Sequence, residues 1–219
     1  MLFQDRFEAG RVLASRLADL RARTDVVVLA LPRGGVPVGY EVASALAAPL
    51  DVFVVRKLGV PGQEELAMGA LGSGGVTVLN RRVVEALGLT QWEIETAVRR
   101  EERELERRER EYRDGRPPLD VNGRTTILVD DGLATGSSMR VAVTALCQKS
   151  PAQIVVAVPV ASPEACSEFE GEVDRLVSAT TPELFLAVGQ WYRDFSQTTD
   201  EEVRELLRRS AQLTSARTV

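Results

Sequence analysis

Histidine is absent from this chain of 219 residues. That excludes Ser-His-Asp triads, an imidazole general base and histidine-held zinc catalysis. Cysteine is scarce: Cys147 and Cys166 stand alone in helical-looking stretches, with no spacing for a disulfide framework or a thiolate metal site. Both are expected to be small buried hydrophobes. Any metal would then be held by oxygen, which points to Mg2+ or a similar hard cation. No apolar run approaches the ~20 residues of a membrane span. The N-terminal MLFQDRFEAGRVLASRL lacks the parts of a signal peptide. The expectation is a cytoplasmic protein with no membrane partner. A net charge of −5 leaves no electrostatic footprint for nucleic acid.

What is present is a 44% hydrophobic, 27% charged chain of the globular kind. Its length suits one domain over residues 1–219 with a core at about 25–180. Asp5 and Glu8 form a capping-box pattern for a helix over about 6–20, with Leu13, Leu17 and Leu20 on one face. DVVVLAL (25–31) is continuous rather than alternating, so it predicts a strand buried on both faces. A helix over 36–47 and the run DVFVV (51–55) complete a βαβ unit with parallel strands. Residues 58–80 hold seven glycines or prolines around two short apolar pieces, which predicts a hairpin-like excursion outside the core and a candidate flexible lid.

Thr90 and Glu93 open a long charged helix at about 91–113, with i,i+4 pairs Glu95–Arg99, Glu104–Arg108 and Glu109–Arg113 and a thin stripe of Ile94, Val98, Leu105 and Tyr112. It is read as a solvated helix across the surface, since sustained heptads are missing. Strands at 124–129, 152–160 and 174–179 follow, with helices at 138–149 and after Ser162-Pro163. FLAVGQWYRDFSQ is the densest aromatic stretch; Thr199 and Glu202 open a last helix, and the final dozen residues are expected to fray. Alternation of strands and helices predicts a doubly wound, mainly parallel α/β sheet, with ligands outside the carboxyl ends of its strands.

Three strand ends carry the candidate chemistry: PRGG after the first, RKLG after the second and DDGLATGSS after the third. In the last, residues Ala134 to Ser138 combine backbone N–H groups, hydroxyls and a glycine at the start of a helix, an arrangement that binds phosphate. The lysine and spacing of a Walker A loop are missing. Asp130 and Asp131 would repel that phosphate and must face another part of the ligand, for which vicinal sugar hydroxyls or magnesium are suited. A phosphate beside a hydroxyl-bearing sugar is a ribose 5-phosphate.

The stretch ILVDDGLATGSSM (127–139) resembles the phosphoribosyl pyrophosphate (PRPP) signature of the type I phosphoribosyltransferases. LPRGGVPVG (31–39) resembles the pyrophosphate loop of the xanthine–guanine members, and VVRKLGVPG (54–62) the segment that opens the flexible loop in the adenine members. The resemblance covers roughly residues 25–160. It implies that Asp130 and Asp131 hold the ribose hydroxyls directly or through magnesium. Ala134, Thr135, Gly136, Ser137 and Ser138 would cradle the 5-phosphate. Arg33, Gly34 and Gly35 would hold pyrophosphate, with Lys57 approaching from the base of the lid. The implied reaction transfers the ribose 5-phosphate of PRPP to a nucleobase-like acceptor, as in nucleotide salvage, and releases pyrophosphate. The lid would exclude water from the anomeric centre.

Position 134, an aspartate in hypoxanthine–guanine members, is alanine here, so the motif says little about the acceptor. AVGQWYRDF (187–195), within a C-terminal hood at about 184–210, is loosely similar to the base-holding segment of those members. Trp191 would stack on the base and Asp194 would accept a hydrogen bond from it; alternatively Trp191, Tyr192 and Phe195 pack the hood onto the core. A homodimer is common in the family resembled. The competing reading is a non-catalytic sensor that binds PRPP or a nucleotide, against which Arg33, Lys57 and the lid weigh. A dinucleotide binder is disfavoured by the missing Gly-x-Gly-x-x-Gly after the first strand.

Overall fold

The computed structural model describes residues 1–21 and 23–215. Helix α1 (Arg6–Arg16) leads to β1 (Val26–Ala30), α2 (Gly35–Leu46) and β2 (Leu50–Val52). Three strands follow: β3 (Val55–Val60), β4 (Gln63–Gly72) and β5 (Val76–Leu79). A short α3 (Arg81–Ala86) precedes α4 (Gln91–Arg113). The chain then alternates through β6 (Thr125–Val129), α5 (Ser137–Cys147), β7 (Gln153–Val160), α6 (Pro163–Phe169) and β8 (Arg175–Thr180), and closes with α7 (Asp200–Ser215).

The main sheet is parallel throughout, in the order β2-β1-β6-β7-β8. It is the doubly wound α/β arrangement the alternation predicts. Val26, Val28 and Ala30 of β1 enter one buried cluster with α1, α2 and α7. Val27 and Leu29 enter a second cluster with α5 and α6. Because successive side chains point to opposite faces, an unbroken apolar run is what a sheet covered on both sides requires. The connection from β1 leads to β2 on one side, while β6, β7 and β8 extend the other way, so the topological switch point lies between β1 and β6. The loops after these two strands carry PRGG and DDGLATGSS.

Several expectations need correction. The 58–80 excursion is an antiparallel sheet in the order β3-β4-β5, and Leu58, Met68 and Leu71 on it are fully buried within the first cluster. Its glycines are there for close approach as much as for turns: a Cβ on Gly69 would run into the Val78 carbonyl oxygen. Cys147 is exposed, and Cys166 is half-buried at the edge of the second cluster. Helix α7 continues to Ser215, so fraying is absent up to that residue, and 216–219 lie outside the described residues.

Helix α4 opens with the expected capping box, and its three i,i+4 pairs form at 2.9–3.5 Å. Ile94, Leu105 and Tyr112 of its stripe are buried. Two buried charges anchor it as well: Glu101 accepts from Arg56 of β3, and Arg113 pairs with Asp51 of β2 at 2.9 Å. Among the described residues no helix is long and apolar enough to cross a membrane.

Candidate functional site

The PRGG turn follows β1 and the acidic pair follows β6, and pairing of these strands in register from Val26↔Thr125 to Ala30↔Val129 brings the two loops side by side. Glycine permits the contact. A Cβ on Gly34 would overlap Asp131 Oδ2, and one on Gly35 would lie 2.8 Å from the Val129 carbonyl oxygen and 2.9 Å from Asp130 Cα. Gly34 has an ordinary helical φ of −60°, so space rather than backbone freedom demands glycine here. The Pro32–Arg33 peptide is cis. Arg33 is half-buried and its side chain makes no hydrogen bond or ion pair among the described residues, which leaves its guanidinium available to a ligand.

Asp130 and Asp131 are partly exposed, yet burial pushes the pKa of both carboxyls up, and the charge of Asp131 raises Asp130 further. Arg6 opposes this at Asp131 without cancelling it. The Asp131 N–H donates to Asp130 Oδ1 at 2.8 Å, and Arg6 Nε donates to Asp131 Oδ2 at 2.8 Å. One oxygen of each carboxylate keeps no protein partner among the described residues. No group of three or more metal-ligating side chains occurs among those residues. The pair therefore fits hydroxyl donors, or a single hard cation completed by ligand and water oxygens.

The loop after Asp131 is fastened at its middle. Leu133 N donates to the Val160 carbonyl at 2.8 Å, and Ser162 Oγ donates to the Ala134 carbonyl at 2.8 Å. Gly136 takes φ +69°, a left-handed conformation, and opens α5 without a side-chain cap. The first N–H groups of a helix have no partner within it, so those of α5 are available to an anion. Ala134, Thr135, Ser137 and Ser138 are exposed around this point. Lys57, also exposed, borders a cavity of about 350 Å³ with Ser137, Ser138 and Asn80, between the three-stranded sheet and α5. Lys57 thus sits beside the phosphate-type loop.

A third wall comes from both ends of the chain. A 3-10 turn at Val188–Trp191 lies over the acidic loop, where Gly132 leaves room for Val188: a Cβ there would meet Val188 at 2.5 Å. Phe3 N donates to the Trp191 carbonyl and Arg193 N to that of Phe3, both at 2.8 Å. The Tyr192 hydroxyl donates to the Asp131 carbonyl at 2.5 Å, and Phe3 and Phe195 flank its ring. Trp191 is half-buried against this cluster, and its Nε1 has no hydrogen-bond partner among the described residues. Asp194 is exposed and accepts from Ser196 N at 2.9 Å, which lowers its pKa. Sequence reading had Tyr192 packing the hood onto the core, as it does, but missed Arg6, the pairing of Phe3 with the hood and the contact of the Tyr192 hydroxyl with the acidic loop. Arg6 lies in no loop motif, and only folding brings it to a residue 125 positions away.

The phosphoribosyl transferase domain model matches residues 4–188. The chain belongs to this family. A Mycobacterium tuberculosis protein whose name assigns it provisionally to the phosphoribosyl transferases is 48% identical over 209 residues, covering 95% of this chain; strains CDC 1551 and H37Rv carry it at the same identity. The chain spans about half the length of these relatives, 47%. The crystal structure of the protein TT1426 from Thermus thermophilus superimposes with a TM-score of 0.82 at 44% identity, covering 94% of this chain and 98% of that one. The phosphoribosyl transferase match includes all three strand-end motifs and stops within the 3-10 turn of the hood.

Proposed function

We propose that this chain transfers the ribose 5-phosphate of PRPP to a nucleobase-like acceptor. The observation that carries the reading is the contact of Gly34 and Gly35 with Asp130 and Asp131, which sets an unpaired Arg33 and an acidic pair against one another at the sheet's switch point. The 5-phosphate rests on the start of α5, with Thr135, Gly136, Ser137 and Ser138 around it and Ala134 shaping the loop. Asp130 and Asp131 accept from the ribose hydroxyls. Arg33 and the adjoining backbone of Gly34 and Gly35 receive the pyrophosphate, and Lys57 adds positive charge from β3. At the anomeric carbon the bond to pyrophosphate breaks with its electron pair leaving on oxygen, while a bond to the acceptor nitrogen forms and the proton of that nitrogen passes to the released pyrophosphate or to water. Asp130 and Asp131 would hold a magnesium ion, which when bound would supply positive charge for the departing pyrophosphate.

The protein's own contribution is position and charge, which suits a chain with no histidine base. The exposed β3–β4 turn at 61–66 closes over the donor and excludes water, and the hood supplies the acceptor side through Trp191 and Asp194. The reading is tested by incubating the protein with PRPP and magnesium against a panel of nucleobases and measuring pyrophosphate release. Release with one base, abolished in Asp130→Asn/Asp131→Asn, is expected. No release with any base, together with unchanged PRPP affinity in that double variant, overturns it.

A further inference from the structure

Arg6 stands outside every motif, yet it is the buried cation of the site, with its side chain 10% exposed. From the first turn of α1 it makes three contacts at once. Nε donates to Asp131 Oδ2 at 2.8 Å, and Nη1 donates to the Ser196 carbonyl at 2.7 Å. The guanidinium lies 3.9 Å from the centroid of the Phe195 ring. A guanidinium is a rigid plane with donors in fixed directions, so these contacts constrain one another. If the Asp131 carboxylate turns, Arg6 must give up either Ser196 or its stack on Phe195. Tyr192 also touches this residue, but through its backbone carbonyl, which does not register where the carboxylate points.

Resting on the phosphoribosyl-transfer reading, we propose that Arg6 is a positioning residue that couples Asp131, on the donor side, to residues 191–198, on the acceptor side. Donor binding at Asp131 fixes the carboxylate, and through Arg6 it holds the hood segment closed. A lysine at position 6 would supply charge to Asp131 but lacks the fork and the flat face needed to hold Ser196 and Phe195 as well.

The chain has two tryptophans, and Trp92 is 70% exposed on α4. In a Trp92→Phe background, acrylamide quenching reports Trp191 alone. Quenching is measured with and without PRPP and magnesium, alongside PRPP affinity by calorimetry, in the parent, Arg6→Gln and Arg6→Lys. PRPP should shield Trp191 in the parent. Arg6→Gln should weaken PRPP by about ten- to a hundredfold, the factor for one lost charge-assisted hydrogen bond, and abolish the shielding. Arg6→Lys should recover affinity but not shielding. If Arg6→Gln does not fold, Arg6→Lys decides by the same readout. Shielding that survives in the folded variants, or a parent that binds PRPP without shielding Trp191, overturns the coupling while leaving the transfer reading intact. A parent that neither binds PRPP nor releases pyrophosphate overturns the transfer reading, and the coupling with it.

Discussion

At Asp130, burial and the neighbouring charge of Asp131 act on one carboxyl, and its pKa lies well above the ordinary 3.8. The folded state therefore holds this proton more tightly than the unfolded chain does. By linkage the group's contribution to stability is fully present below about 3.8 and is lost as pH rises through the folded value. Asp130→Asn removes the titration while its amide oxygen still accepts from Asp131 N. Its thermal midpoint should exceed the parent's at neutral pH, by about 2–4 °C for each kcal/mol relieved, and converge with it toward pH 4, while PRPP affinity is lost. Scanning calorimetry across pH checks the sign.

The neighbouring glycines act on stability and binding at the same scale. In Gly35→Ala the new methyl meets the backbone of Val129 and Asp130, which cannot turn aside, so a loss of about 1–3 kcal/mol in denaturant unfolding is expected. In Gly34→Ala it overlaps the Asp131 carboxylate, which can turn only by giving up Arg6. That variant should unfold at lower denaturant than the parent and bind PRPP more weakly in a calorimetric titration.

Among the elements, α4 shows how a helix with mostly charged residues is held. Asp51 accepts from Arg113 Nε through both oxygens, from Val52 N at 2.8 Å and from Leu119 N at 3.1 Å, so one carboxylate ties α4 and the chain after it to β2. Asp51→Ala would leave the buried Arg113 guanidinium with only Glu109 and the Val52 carbonyl and would unpair the Val52 and Leu119 N–H groups, and should cost about 3–5 kcal/mol by chemical denaturation. Asp51→Asn/Glu109→Gln/Arg113→Met removes all three charges and keeps an acceptor for Leu119 N, so it should cost measurably less. The exposed pairs along α4, such as Arg107–Glu104 at 2.8 Å, carry little of this stability because solvent screens them.

Across the whole molecule, the hood depends on both ends of the chain. Phe3 is 1% exposed and packs with Ala9, Val160, Ala179 and Tyr192, while its backbone pairs with Trp191 and Arg193. Phe3→Ala should destabilise by about 3–5 kcal/mol. It should also raise quenching of Trp191 by acrylamide at denaturant concentrations below the main transition, because the cluster that loses its anchor is separate from the two larger cores. Quenching unchanged until global unfolding would show that the hood does not open on its own.

The sheet, its parallel sense and its candidate ligand loops were readable from residues 25–160, because a strand buried on both faces leaves a continuous apolar run and an anion loop leaves a local cluster of small residues. The capping boxes of α4 and α7 and the Asp5 N-cap of α1 were readable for the same reason, since donor and acceptor lie within one turn; the other half of the α1 box does not form, because Glu8 accepts from Gln4 N instead of Asp5 N. The short α3 and the core role of Leu58, Met68 and Leu71 were not, since glycine-rich spacing looks the same in a loop and in a tightly packed antiparallel sheet. Nor were Arg6–Asp131 and Arg113–Asp51, whose partners are 125 and 62 residues apart. Sequence alone determined that an acidic pair and a phosphate-type loop follow one buried strand, because that chemistry is local to one turn. Only tertiary structure decided which cation faces Asp131 and which residues pack over the acidic loop, because those contacts exist only once the N-terminal helix, the acidic loop and the hood are packed together.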